Sequence, residues 1–517
     1  MNSLRTLLMV SCFWAGTCAT FAQPGTLDTG FDTDGVALYQ EVLYITPANS
    51  LLVLSDSTIL TIGERYDGSG SQLLMVNFLP DGSLNAAFGN QGNGIGPTYG
   101  GPGVVKTDLF DSNREFADAA LVQPDGKIVV GGSVNTGYNW MIARYRSTGY
   151  LDSTFGQNGY LTQDWGGFDE IFDLHLLPDG RILASGNANG KVGVARFSET
   201  GVLDTGFGVS GLASLSTTST YSGRIVVDSL GRIYLCGATG SNVVVGRFLA
   251  GGTIDTGFGQ NGTATIGASG NPSQVNIDLL SDEKIMVVAD QPDNQGQNSS
   301  MVLIRLLTNG TVDNTFDGDG KKTVSLGNYV TPHALIIQRD DRVLVAGRLV
   351  MSGAADLFVA KFLPDGTLDP AFGTGGYARS GLGTDLGSNS GAGYSMALQP
   401  DGKILVGGSL SLSGLTNQVL VRFNNTVGFP TSIDRDAVLQ PLKLSPNPAH
   451  EQVEVVFPAG KWERLRVYAL SGQRVTDVAV TPQQAEEILN VKNWPSGLYT
   501  ISIEGNGQVR SAKFWKE

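Results

Sequence analysis

The sequence predicts an all-β protein: a seven-bladed β-propeller closed between the N-terminal segment and the last blade, followed by a small C-terminal β-sandwich. Three observations predict it. Three short elements recur together seven times, the apolar run within each repeat lacks polar alternation, and a base and an acid eight residues apart recur and disappear together. Composition sets the frame: of 517 residues, 70 are glycine, 41% are hydrophobic and 16% are charged. Glycine without a three-residue period excludes collagen, and the apolar content excludes a wholly disordered chain. A net charge of −14 with no basic stripe argues against a nucleic-acid partner.

Residues 1–22 read as an export signal, with one base at Arg5, an apolar stretch from Leu7 to Trp14, and small residues ending Thr20-Phe21-Ala22. That layout is too short for a permanent anchor, and cleavage is expected before Gln23. Acylation at Cys12 or Cys18 is the alternative, although neither follows a small-residue lipobox. No later segment offers eighteen uninterrupted apolar residues, so no transmembrane segment is predicted. Cys236 is then the remaining thiol. It lies in Arg232-Ile233-Tyr234-Leu235-Cys236-Gly237 and reads as a buried small hydrophobe rather than a nucleophile.

Residues 23–424 carry the repeats. Leu-Asp-x-x-Phe, with variants, stands at Leu27–Phe31, Leu84–Phe88, Leu151–Phe155, Leu203–Phe207, Ile254–Phe258, Val312–Phe316 and Leu368–Phe372, a mean period of about 57 residues. A second element is a turn before an apolar run, clearest at Pro124-Asp125-Gly126-Lys127-Ile128 and Pro400-Asp401-Gly402-Lys403-Ile404. Proline presets its own φ, aspartate bonds back to the chain and glycine takes the positive φ. The run that follows is β-branched and has no polar face, so it predicts a strand of four to six residues covered on both sides. A third element ends an apolar strand with a base and an aromatic, as in Ala143-Arg144-Tyr145. Seven such units of about four strands each, packed face to face, make a propeller, with an open β-solenoid as the rival.

The base of the third element and the acid of the next Leu-Asp-x-x-Phe are eight residues apart in Arg144/Asp152, Arg196/Asp204, Arg247/Asp255, Arg305/Asp313 and Lys361/Asp369. In the first repeat both charges vanish, leaving Asn77 and Asn85. Joint loss indicates contact, because a partly buried charge needs its partner. Arg422 has Pro430 where its acid belongs, and the unassigned acid of this type is Asp28. Asp28 is therefore expected to pair with Arg422, so that the chain ends close the ring.

With Gln-Pro-Asp-Gly-Lys-Ile, Ala-Arg-Phe and Leu-Asp-x-x-Phe-Gly recurring in order over about 24–424, the chain resembles the bacterial delta-60 repeat family of secreted proteins. The resemblance implies a propeller-like fold and no settled activity. Residues 425–443 break the repeat and read as a linker. In 444–517 alternating stretches at Gln452–Phe457, Leu465–Leu470 and Leu498–Ile503 predict the β-sandwich. Ser445-Pro446-Asn447-Pro448, then Leu470-Ser471-Gly472-Gln473, then Gly497-Leu498-Tyr499 and the ending Phe514-Trp515-Lys516 resemble the type A sorting domain of the type IX secretion system. That resemblance implies a member of the Bacteroidota, passage through the outer membrane, removal of the domain by a sortase, and release or attachment to surface lipopolysaccharide.

Little in the sequence points to catalysis. His175, His333 and His450 have no motif around them, and zinc-type ligand spacing is missing. Most aspartates occupy turns, so no catalytic residue is assigned. Asp32-Thr33-Asp34-Gly35 and Asp317-Gly318-Asp319-Gly320 space two carboxylates as calcium loops do, but neither reaches a distal glutamate. Calcium through Asp32, Asp34, Asp317 and Asp319 is thus the single cofactor worth naming. Two functions are expected to compete: a non-catalytic propeller binding a glycan, peptide or envelope protein through loops such as 291–300 and 380–393, and a polysaccharide hydrolase or lyase using paired carboxylates.

Overall fold

The computed structural model describes residues 22–516 apart from 42–43, 67, 69, 90–97, 111–113, 135–137, 219–222, 269, 294, 386–389, 413, 426–442, 447–448, 457–461, 463, 470–473, 482–485 and 506–507. The export-signal residues 1–21 and most of the expected linker lie outside the described residues. Among the described residues the chain is all-β apart from one helical turn, Leu382–Asp385, and it divides into two compact units at 427/428.

In the first unit the turns act as their residues dictate. Gly126 takes φ +82°, and the Asp125 carboxylate accepts the Lys127 amide at 3.2 Å. The amide of Gln123 then donates to the Lys127 carbonyl at 2.8 Å, closing the hairpin. The strand so started, Ile128–Val134, is buried at every residue, as expected for a run without a polar face. At seven residues it is longer than the expected four to six.

Hairpins build the sheets. In the second repeat the order across the sheet is Tyr160–Gln163, Asn139–Tyr145, Ile128–Val134, Glu115–Val122. The third and fourth repeats form four-stranded sheets of the same antiparallel kind, and the first repeat a five-stranded one. The fifth and sixth join into one sheet through the single parallel bridge Ser299↔Tyr329. In the seventh repeat the outermost strand comes from the other end of the chain: Val36–Tyr39 pairs antiparallel with Leu415–Phe423, Val36 opposite Val421. Among the described residues no sheet closes on itself.

The first strand of each repeat packs against its counterparts on either side. Ser50–Val53 contacts Glu115–Val122, which contacts Glu170–Leu176, and so on through Ile225–Val227, Val275–Leu279 and Tyr329–Ile337 to Gly391–Leu398, which contacts Ser50–Val53. Cores lie between neighbouring sheets. Leu60, Ile62 and Met75 of the first repeat, for example, meet Ile128, Val130 and Met141 of the second. Burying each such side chain contributes about 1.5–3 kcal/mol, so the interfaces between repeats dominate the stability of the unit. Cys236 is buried, as its apolar run predicts, and its thiol donates to the Val275 carbonyl at 3.5 Å.

The second unit has a three-stranded sheet, Lys443–Ser445, Gln452–Val456 and Glu486–Asn490. A four-stranded sheet runs Arg474–Ala479, Arg464–Ala469, Gly497–Gly505, Gln508–Lys516. Val453, Val455, Trp462, Leu465, Val467, Ile501 and Phe514 form its single core.

Candidate functional site

Glycine positions the candidate site. The fifth residue of the apolar run is glycine in six repeats, and a Cβ at Gly63, Gly132, Gly186, Gly347 or Gly408 would lie 1.9–2.0 Å from a carbonyl oxygen in or just before the neighbouring inner strand. At Gly132, Gly186, Gly347 and Gly408 that close approach accompanies a bulge in the inner strand opposite, seen as register breaks around Asp118, Phe172, His333 and Tyr394. A bulge turns its extra residue out of the pleat. In the fifth repeat Ala289 replaces the glycine, and Val275–Leu279 pairs in unbroken register.

The inner strands converge on a cavity of about 230 Å³. Each sequence repeat contributes a polar residue to its lining: Asn49, Asp118, Asp173, Arg224, Asn276, His333 and Tyr394 in chain order. The Arg224 guanidinium donates to the Phe172 carbonyl at 2.8 Å, while the Asp173 carboxylate accepts the Ile225 amide at 3.0 Å. His333 and Tyr394 meet edge to face with ring centroids 5.2 Å apart. The Asn49 amide nitrogen lies 2.8 Å from Glu64 Oε2 and 3.4 Å from Asp118 Oδ1, bringing two carboxyls to one donor.

These acids keep some solvent contact but are enclosed by protein. Burial pushes the Glu64 carboxyl up to about 8, with the Glu170 charge adding to the effect. Asp118 is raised well above the carboxylate range by burial and by repulsion from Glu170 and Glu64, and Glu170 is raised by burial. His333 is held down at about 4 by burial and by Arg224 and Arg348, so its imidazole is neutral at pH 7. The cavity lining therefore combines two carboxyls raised by burial, Asp118 and Asp173, with one guanidinium, a neutral imidazole and a phenol. It can hydrogen-bond hydroxyl and amino groups, and the nearby Glu64 and Glu170 can exchange protons near neutrality.

The base–acid pairs lie elsewhere, where the third strand of each repeat meets the following turn. Arg144 Nε is 2.9 Å from Asp152, Arg196 Nε 2.9 Å from Asp204, and Arg247 and Arg305 each 2.8 Å from Asp255 and Asp313. Arg422 Nε is 2.7 Å from Asp28 Oδ2 across the chain ends. Asn85 donates to Asn77 at 2.9 Å in the neutral first repeat. The expected Lys361/Asp369 pair is not made within 4 Å, and this is a correction. Lys361 donates to Asn425 Oδ1 at 2.8 Å, and Asp369 Oδ2 lies 3.5 Å from Arg342 Nε. A lysine ends in one compact ammonium where arginine ends in a planar fork, so it cannot span two partners that lie as far apart.

Two partners of these pairs escaped the sequence reading. Each arginine lies over the phenylalanine of its Leu-Asp-x-x-Phe, at 4.8 Å for Arg144 and Phe155 and 4.4 Å for Arg422 and Phe31. The base just after the turn also reaches the acid: Lys127, Arg181, Lys284 and Lys403 lie 3.6, 3.8, 3.5 and 2.8 Å from Asp152, Asp204, Asp313 and Asp28. The signal was the base recurring after the turn, with Thr58 in its place in the repeat that also lost the other two charges. The cavity residues were missed because isolated polar residues in short strands have no spacing to read.

Among the calcium candidates, Asp317 pairs with Lys322 at 2.8 Å, and Asp34 and Asp319 accept the amides of Val36 and Lys321. Asp32 is raised by burial and by Asp34 and Asp81. Among the described residues no three histidine, cysteine, aspartate or glutamate side chains are grouped to hold a metal ion. His175 lies on the third repeat's inner strand, and His450 in the second unit. Of the sorting-motif residues, Pro446 is exposed, Gly497 starts a strand, Tyr499 donates to the Pro495 carbonyl at 2.8 Å, and Ala449 bridges to Lys516. Asn447, Pro448 and Gly472 lie outside the described residues.

A family model described as a domain of unknown function (DUF5122) β-propeller matches residues 123–155, 177–207, 280–316, 338–372 and 399–428. One described as a secretion system C-terminal sorting domain matches 443–517. No curated protein matches the chain. Among solved structures, it is similar to Sqt1 from Chaetomium thermophilum at 10% identity, covering 95% of this chain and 99% of that one with a TM-score of 0.41. It is similar to virginiamycin B lyase from Staphylococcus aureus at 10% identity, covering 75% and 99% with a TM-score of 0.40. Drosophila Semaphorin 1b extracellular domains 1-2 is similar at 9% identity, covering 77% and 87% with a TM-score of 0.39. Likenesses at this level carry no argument about activity. What the chain itself carries is a set of DUF5122 β-propeller repeats, of the delta-60 kind, followed by a secretion system C-terminal sorting domain.

Proposed function

We propose that this chain is a seven-bladed propeller, closed by its N-terminal segment, that the sorting domain delivers outside the cell and that binds a glycan residue in the cavity between the inner strands. The sorting domain indicates export by type IX secretion to the cell surface or the extracellular space. Sortase removal of the second unit and attachment to lipopolysaccharide belong to the same proposal. Ring closure is supported by the pairing of Val36–Tyr39 with Leu415–Phe423 and by a relay of backbone bonds between repeats. Gly89 donates to Thr148, Gly156 to Thr200, Gly208 to Gly251 and Gly259 to Asn309; Gly373 then donates to Pro24, and Asp32 to Asp81.

The observation that carries the binding proposal is the convergence of a polar residue from each repeat on one cavity of about 230 Å³. A small cavity with few fixed polar groups and an aromatic pair suits one sugar ring. A glycan and peptide array probed with the full chain tests it: glycan binding lost in Tyr394→Ala and Asn276→Ala is expected, while binding confined to peptides overturns it.

A second proposal, a polysaccharide hydrolase, is favoured by Glu64 and Asp118 sharing the Asn49 amide, since glycosidases use two carboxyls about 5–10 Å apart. New reducing ends, lost in Glu64→Gln, would support it; binding without turnover would dispose of it.

A further inference from the structure

We propose that the sugar taken by this cavity is a hexosamine whose ammonium group seats against Asp118, between the inner strands of the first three repeats. The inference rests on the glycan-binding proposal and names its ligand class.

Asp118 Oδ2 is buried without a hydrogen-bond partner, and its other oxygen has only the 3.4 Å contact from Asn49. A buried acceptor with nothing to accept from is destabilising, so a donor brought by a ligand has something to gain. Asp118 is one of the residues lining the cavity, so a ligand seated there lies against it. The charged groups around it are unbalanced. Glu64, Glu170 and Asp173 come from the strands on either side, and His333 and Arg348 from the sixth repeat. Arg224 comes from the fourth. Asp173 is already satisfied by the amides of Leu174 and Ile225. Among the described residues Arg224 makes no ion pair within 4 Å and is directed to the Phe172 carbonyl. The Arg224 charge acts on Asp118 from a distance, but among the described residues no cation lies within 4 Å of Asp118, Glu64 or Glu170.

A compact, three-donor ammonium fits that gap, and enclosed carboxylates favour a paired cation. A metal ion fits less well, because no three acids are grouped at ligating geometry among the described residues. The edge-to-face pair of His333 and Tyr394 offers an apolar wall for a sugar face. Raised carboxyls hold protons in the empty cavity, and an ammonium displaces them to the buffer. Affinity then rises with pH, by up to about tenfold per pH unit for each proton released.

Titration calorimetry of the full chain with glucosamine, N-acetylglucosamine and glucose, at pH 5.5 and 7 in two buffers of different ionisation heat, tests this. Expected are glucosamine binding at least tenfold tighter than either neutral sugar, proton release, and tighter binding at pH 7. Asp118→Asn should abolish the preference for glucosamine without abolishing binding of the neutral sugars; if that variant fails to fold, Glu170→Gln should weaken the preference. Equal or tighter binding of N-acetylglucosamine overturns the hexosamine inference and leaves the glycan proposal standing. No binding of glucosamine, or a preference unmoved by both substitutions, overturns the inference alone; loss of every glycan on the array overturns the broader proposal.

Discussion

Arg422 shows how much one side chain connects. Its guanidinium meets Asp28 at 2.7 Å, the Pro80 carbonyl at 2.5 Å and Gln399 at 3.5 Å, and lies over Phe31. Arg144, Arg196, Arg247 and Arg305 repeat the arrangement, each donating to a carbonyl of the next repeat at Glu199, Ala250, Thr308 or Pro364. Removing one partner of a buried pair leaves an uncompensated charge, so Arg422→Ala is expected to cost about 3–5 kcal/mol. In chemical denaturation with Asp28→Asn, the two losses should be far from additive. Lys361 is the natural exception: burial pushes its ammonium down, and Asp369 Oδ2 is left without a hydrogen bond. Lys361→Arg should restore the fork and stabilise by about 1 kcal/mol, read as a higher melting temperature.

Strands and their glycines set the next scale. A Cβ at Gly132 would sit 1.9 Å from the Phe116 carbonyl and at Gly408 1.9 Å from the Ala392 carbonyl, so backbone must move. Gly132→Ala is expected to destabilise by about 1–3 kcal/mol or more and to disturb the bulge that turns Asp118 into the cavity. Ala289→Gly, in the repeat without a register break, should cost only about 0.5–1 kcal/mol. Equal losses at the two positions in thermal melts would remove the link between glycine and bulge. The turns were legible because Pro-Asp-Gly acts within a few residues. The bulges were not, because the glycine that permits each lies one strand away from the residue it displaces.

At the scale of the molecule, two sets of carboxyls pull stability in opposite directions with pH. Burial pushes Asp28 and Asp313 up, but Lys403, Arg422 and Gly30 for the first, and Thr315 and Arg305 for the second, outweigh it. Both end below the usual range, Asp313 at about 2. Their contribution is present above the unfolded value near 3.8 and is lost as pH falls through the folded one. The enclosed acids near the cavity act the other way: with Glu64 near 8, the folded state holds a proton that the unfolded state releases above 4.5. Their contribution declines as pH rises from 4.5 to 8. Melting temperature is therefore expected to peak between about pH 4 and 6, and Glu64→Gln to flatten the alkaline limb. Deleting residues 22–39 removes the strand Val36–Tyr39 together with Asp28. It should lower the first unit's melting temperature by roughly 10 °C or more while leaving a separate transition of the second unit unchanged.

By itself the sequence determined the all-β class, the repeat unit with its turns, and the sorting tail, because each depends on residues close together in the chain. The eight-residue spacing of base and acid is equally local, running from the end of one strand to the turn after it. Tertiary structure decided what lies between repeats: which carbonyl each arginine reaches, why lysine at 361 serves only one partner, and which polar residues share a cavity. Asn49 and Tyr394 are hundreds of residues apart and become neighbours only once sheets stack on their buried faces. No pattern along the chain encodes that meeting, since it follows from how the packed cores set the direction of the inner strands.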